Sequence, residues 1–99
     1  MNKITVAGML YTIEAHTDCT ATRREAIWKE TEEDFRTTLA ISHEDWIEVR
    51  FSKKEFPYIG SYCRNMSMIE LYGSLKTEVS RGTGTVTNYI QAEHILSWS

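Results

Sequence analysis

A chain of 99 residues, 41% hydrophobic and 25% charged, has the size and composition of one globular domain, which excludes a disordered or fibrous protein. The net charge of −3 gives no overall pull on polyanions, yet residues 1–49 hold 5 basic and 10 acidic side chains while residues 50–99 hold 6 and 4, so a polyanion would be met by the second half. No apolar run approaches the roughly 18 residues that span a bilayer, and Met1-Asn2-Lys3-Ile4 lacks the apolar stretch of a signal peptide; no membrane partner and a cytoplasmic location are expected.

Residues 3–15 are rich in β-branched side chains, alternate at Ile4 and Val6, and place a glycine at position 8, which inside a strand marks a bulge or sharp coil. Segment 17–34 is ambiguous. Thr22 and Glu25 form a capping-box pattern and Arg23 to Asp34 is rich in helix formers, but its apolar members are only Ala26, Ile27 and Trp28. It reads as a long connection or an excursion of the first hairpin, with a helix as the alternative. Its acidic run, Glu30 to Asp34, reads as a solvated face, the alternative being a nucleic-acid mimic that shields a basic groove.

Segments 35–41 and 45–52 are the next two strands. In the latter Ile47, Val49 and Phe51 share one face and Trp46, Glu48, Arg50 and Ser52 the other. Only residues 42–45 lie between them, so they pair as a hairpin. Segment 53–65 breaks the alternation with Pro57 and Gly60 and brings Tyr58, Ile59, Tyr62 and Cys63 near helical spacing, which predicts a short helix or turn. Segment 67–79 alternates again, Arg81-Gly82-Thr83-Gly84 marks a flexible hairpin tip, and segment 85–96 closes the domain. The expectation is an all-β domain spanning residues 1–99, with five strands and a short helix or turn between the third and fourth.

Chemistry for catalysis or metal binding is not visible. Cys19 and Cys63 lie 44 positions apart and read as reduced structural residues, and His16, His43 and His94 are scattered. There is no GxxxxGK phosphate loop, no HExxH, and no recognisable Ser-His-Asp or Cys-His arrangement. Glu93 and His94, adjacent on a strand, are expected on opposite faces and so not to act as a pair. No enzyme, cofactor or metal is expected.

Five strands with glycines in the first and fourth, and a helix or turn after the third, is the arrangement of an OB-fold barrel. The sequence also resembles the bacterial single-stranded-DNA-binding protein family and its primosomal relatives of the PriB type. Residues 2–10 are similar to that family's first strand with its glycine, and residues 35–41 to its second. Residues 45–54 resemble its third, with a Trp near the start and a Lys just beyond. Residues 68–77 resemble the fourth, where a glycine precedes a short basic stretch, and residues 89–95 the last. Three departures stand out. The 42–45 connection is far shorter than the family's strand-embracing hairpin, Ser52 and Ser80 stand where the family often has aromatics, and the chain stops at Ser99 without an acidic tail. A minimal OB domain, such as a phage or mobile element would carry, is implied.

Binding single strands without sequence preference takes aromatic rings on which bases stack and cations that follow the phosphates. Trp46 is the leading ring, since alternation turns it away from the apolar set; capping a barrel end or filling a subunit interface is the alternative. Arg50 shares its face, and Lys53 and Lys54 follow at the strand end. Lys76 and Arg81 flank the glycine-containing tip, in the loop OB folds use for oligonucleotides. Tyr72 offers a further ring. Trp28, in the long connection, is a candidate flap residue, with a structural or interface role preferred because its acidic neighbours argue against phosphate contact, and Trp98, Tyr58 and Tyr62 are assigned to packing. The reading is sequence-tolerant binding of single-stranded DNA in replication or recombination, by a homodimer or homotetramer working with replication proteins. Oligomerisation follows from a thin core, since a domain this size buries only roughly two thirds of its unfolded surface. The alternatives are a protein-interaction scaffold on the OB fold and an RNA binder.

Overall fold

The computed structural model describes residues 2–10, 28–63 and 66–99, with Tyr62 described by its backbone. The expectations for Cys19, His16, the Thr22/Glu25 capping box and the Tyr62 side chain lie outside the described residues. In chain order the elements are β1 (Lys3–Leu10), a two-residue β2 (Lys29–Glu30), β3 (Asp34–Ala40), β4 (Trp46–Ser52), α1 (Ile59–Tyr62), β5 (Met68–Val79) and β6 (Val86–Trp98). The five long strands match the five read from the alternation. The addition is β2, which lies in the segment read as a connection and extends the sheet beside β3.

The strands run in the order β1-β5-β6-β4-β3-β2, and pairing of Met9 with Ala40 and Leu10 with Leu39 joins β1 to β3 and closes the barrel. All pairs are antiparallel except β4 with β6. This is the OB barrel, with its short helix between the third and fourth barrel strands. Its core is the inward set that alternation predicts: Leu10, Leu39, Val49, Phe51, Leu71 and Ile90 are all fully buried. One end is plugged by Ile59 of α1 and by Cys63, also fully buried; burial pushes the Cys63 thiol up to about 11.

Closing so small a barrel forces backbones together at two places, and a glycine stands at each. A Cβ on Gly8 would lie 2.4 Å from the Ala40 carbonyl oxygen, and one on Gly73 would lie 2.3 Å from that of Gln91. Neither neighbour is a flexible side-chain tip, so only a residue without a side chain fits.

Two irregularities in β6 alter which way its side chains face. The register with β5 jumps between Glu70/Leu71 and again between Tyr72/Gly73, leaving Leu96 and Glu93 without partners. A bulged residue breaks the period of two. Glu93 and His94 therefore line one groove with Glu55, Phe56, Ile95 and Trp98, contrary to the opposite faces expected of strand neighbours. Glu93 is nonetheless committed elsewhere: it accepts hydrogen bonds from Ser74 Oγ, at 2.8 Å, and from Lys3 Nζ.

Two of the aromatics assigned to packing are largely exposed in the single chain. Tyr58, next to Pro57 in the turn before α1, is 74% exposed, and Trp98, at the end of β6 beyond the bulges, is 54% exposed.

One inward position is chemically mismatched. Thr37 of β3 is buried opposite Val49, and its Oγ1 has no hydrogen-bond partner. A buried hydroxyl without a partner costs about 1–3 kcal/mol. Thr37→Val should therefore leave stability unchanged or raise it by about 1 kcal/mol, whereas Gly73→Ala should lower it by about 1–3 kcal/mol through the clash with Gln91. Urea denaturation of the two variants checks both; a destabilised Thr37→Val would mean that the hydroxyl is satisfied.

Candidate nucleic-acid interface

Alternation in a closed barrel sends every second side chain outward, and on β3, β4, β6 and β5 these form continuous rungs. One rung runs Thr38, Glu48, Tyr89, Lys76, and the next Arg36, Arg50, Gln91, Ser74. Trp46 stands two residues before Glu48 and opposite Ala40. The face thus carries two aromatic rings, Trp46 and Tyr89, among three cations, Arg36, Arg50 and Lys76. Both rings are half-buried.

The tight connection orients Trp46. Ser42 Oγ donates to Asp45 Oδ2 at 2.9 Å and accepts from the Asp45 backbone N–H at 3.1 Å, closing the turn, and the indole N–H of Trp46 donates back to the His43 carbonyl at 3.4 Å. The ring is therefore fixed at the mouth of the β3–β4 hairpin, on the outer side.

Arg50 is the most constrained residue of the face. It is only 4% exposed; its guanidinium lies 3.7 Å from the Tyr89 ring centroid, Nη1 donates to Glu78 Oε2 at 2.7 Å, and Nε donates to Glu48 Oε2. Burial opposes its charge, but the hydrogen bonds it donates to Glu78 and Glu48 outweigh it and push the guanidinium pKa further up. Arg50 is thus a permanent cation whose charge is already matched by two carboxylates. Arg36 is held similarly, its Nε 2.9 Å from Asp34 Oδ1.

The other residues expected at the site are spread around the barrel. Lys53 reaches Glu30 Oε2 at 2.7 Å and lies 5.4 Å from the Phe35 ring centroid, at the β2 edge of the face. Lys54 is exposed in the turn that follows. Lys76 stands on the face opposite Tyr89, and Arg81 sits in the β5–β6 turn, both exposed. Among the described residues none of Lys54, Lys76 and Arg81 has a carboxylate within ion-pair reach. Tyr72 lies further along β5, stacked on His94 with centroids 6.2 Å apart, away from Trp46.

Trp28 sits against the core. It packs edge-on against Phe51 at 5.5 Å and Phe35 at 6.4 Å, and its indole N–H donates to the Cys63 carbonyl at 3.0 Å. The ring helps plug the barrel end beside Ile59 and Cys63.

Tyr89 and Arg36 were not singled out from the sequence. Tyr89 and Gln91 alternate with the apolar Ile90 and Ala92, which is the same signal that placed Trp46 outward. Glu48 shares the face of Arg50 in the alternation, but the second partner was not legible, because Glu78 lies 28 positions away and is brought close only by the β6 strand between them.

Comparison with solved structures returns the same barrel. The chain superposes on a small single-stranded DNA binding protein from Mycoplasma pneumoniae with a TM-score of 0.61 at 14% identity, over 98% of this chain and 93% of that one. It superposes on the mitochondrial single-stranded DNA binding protein Rim1 of S. cerevisiae with a TM-score of 0.65 at 11% identity, over 97% and 95%. The N-terminal domain of PriB from Thermoanaerobacter tencongensis, described as dimeric, gives a TM-score of 0.60 at 13% identity and 97% coverage of both. No protein-family model matches the chain. No curated protein matches it in sequence. Fold and face together define an OB-fold protein with an aromatic and cationic outer strip.

Ion pairs on and around this face set its response to acid. Hydrogen bonding and charge from Arg50 hold the Glu78 carboxyl below the ordinary range, and hydrogen bonds from Lys3 and Ser74 do the same for Glu93. At Asp34 burial pulls the other way, but hydrogen bonds from Thr31 and Arg36 prevail and lower it too. A carboxyl lowered in the folded state lends stability that is complete above its unfolded value, roughly pH 4, and that is lost as pH falls through the lowered folded value. The melting temperature should therefore drop steeply below about pH 4, and less steeply in the Asp34→Asn/Glu78→Gln double variant. An identical acid limb in both proteins would show that these pairs contribute nothing.

Proposed function

We propose that this chain binds single-stranded DNA with little sequence preference, in replication or recombination, as a homodimer or homotetramer and without catalysing a reaction. The observation that carries this reading is the outer face of β3, β4, β6 and β5, where Trp46 and Tyr89 stand among Arg36, Arg50 and Lys76. Rings offer sequence-tolerant stacking of roughly 1–3 kcal/mol per base, and cations spaced along the strands offer phosphate contacts. Lys54 extends the cationic track at one end and Arg81 at the other. The OB barrels of similar shape from Mycoplasma pneumoniae and S. cerevisiae, both described as single-stranded DNA binding proteins, support the assignment. Oligomerisation is part of the reading because one small barrel presents a short track, and copies set side by side lengthen it.

Tryptophan fluorescence titrated with oligo-dT at several salt concentrations tests the proposal. Binding should quench emission, with a log–log salt slope of roughly −0.7 per phosphate contacted. Trp46→Ala and Tyr89→Ala should each weaken binding by about 1–3 kcal/mol, and Lys76→Ala should flatten the slope. Oligo-rU bound as tightly as oligo-dT would mark an RNA binder instead. No binding to either at low salt would leave a protein-interaction scaffold, and a monomer in sedimentation would remove the oligomeric part.

A further inference from the structure

We infer that Glu78 occupies the place of a nucleic-acid phosphate on Arg50 and must be exchanged for one when a strand binds. The inference rests on the reading of this face as a single-strand interface and names how its central cation is reached. Arg50 is buried although it points outward, because Glu48 and Glu78 close over a guanidinium already seated over the Tyr89 ring. The two carboxylates are not equivalent. Glu48 is on the same strand as Arg50, two residues away, and its side chain is 31% exposed; Glu78 comes from β5 and its side chain is 52% exposed. Glu78 is thus the partner open to competition from solvent.

Its position also lets it leave. Glu78 lies in the outer part of the β5–β6 hairpin, where residues 75–80 are all exposed, and its strand partner Thr87 is held in a two-stranded ribbon that no other described strand flanks. A phosphate diester presents two anionic oxygens to the guanidinium fork, as a carboxylate does. Its arrival at Nη1 satisfies the same donor, so Arg50 never becomes a bare buried charge during the exchange. Tyr89, beneath the guanidinium, is then beside the incoming strand.

The exchange has an ionic signature. A phosphate that meets an unpaired lysine releases its counterion, which makes binding salt-dependent. A phosphate that displaces Glu78 also releases its counterion, but the freed carboxylate takes one up. The Arg50 contact therefore adds almost nothing to the salt slope of the natural protein.

Glu78→Gln keeps the shape and removes the competing charge. The variant should bind oligo-dT about two- to five-fold more tightly at moderate salt, and its log–log slope should steepen by roughly 0.7. A methylphosphonate oligo-dT, whose backbone is neutral, should show no gain. If the natural protein binds and Glu78→Gln binds no better, or gains equally on the neutral backbone, the exchange is wrong while the single-strand reading stands. If neither protein binds oligo-dT, both fall. Glu48→Gln is the control: a larger gain there than in Glu78→Gln would assign the displaced carboxylate to Glu48 and overturn the inference.

Discussion

Everything on the outer surface depends on two places where backbone meets backbone. A sheet of five strands closes into a barrel this small only if β1 can approach β3 and β5 can approach β6 more nearly than any side chain would allow, and Gly8 and Gly73 provide those approaches. Once the cylinder is shut, inward and outward become fixed for every residue. The fully buried Val49, Phe51 and Ile90 then dictate that Trp46, Arg50 and Tyr89 face the other way. The candidate interface is in this sense a by-product of core packing, and its rungs are the strand register itself.

The face is far from a uniformly basic groove. Each of its two arginines has a carboxylate within hydrogen-bonding distance, Asp34 for Arg36 and both Glu48 and Glu78 for Arg50. Among the described residues Lys76 on the face, and Lys54 and Arg81 at its ends, have no carboxylate within ion-pair reach. Attraction at a distance is accordingly weak, in keeping with the net charge of −3, so under the proposed function stacking on Trp46 and Tyr89 would carry a larger share of affinity than in a strongly cationic groove.

How much of this was legible in the sequence depended on the range of the interaction involved. Local alternation located the five barrel strands, because Ile47, Val49 and Phe51 on one side of Trp46 and Arg50 need no knowledge of the rest of the chain. The two strand glycines were visible for the same reason, although their contacts with Ala40 and Gln91 were not. Alternation failed at Glu93, where a bulge in β6 changes the count by one and turns Glu93 and His94 into the same groove. Arg50 could be placed on its face but not paired, since its partner Glu78 becomes a neighbour only through the register of three strands. For Trp28 the acidic neighbours argued only against phosphate contact; its actual partners, Phe35, Phe51 and the Cys63 carbonyl, were not legible because the fold gathers them from distant parts of the chain.

The single parallel pairing, β4 with β6, joins Val49 to Ile90 across about four tenths of the chain's length. An antiparallel hairpin such as β3–β4 can zip from its turn as soon as both arms exist, whereas this seam must await a strand that lies far along the chain. Until then β4 presents a bare edge rich in β-branched and aromatic side chains, the kind of template on which nascent chains stick to one another. The thirteen-residue β6 therefore acts as a lid on the barrel's most adhesive margin, and that margin stays open until this long-range docking is complete.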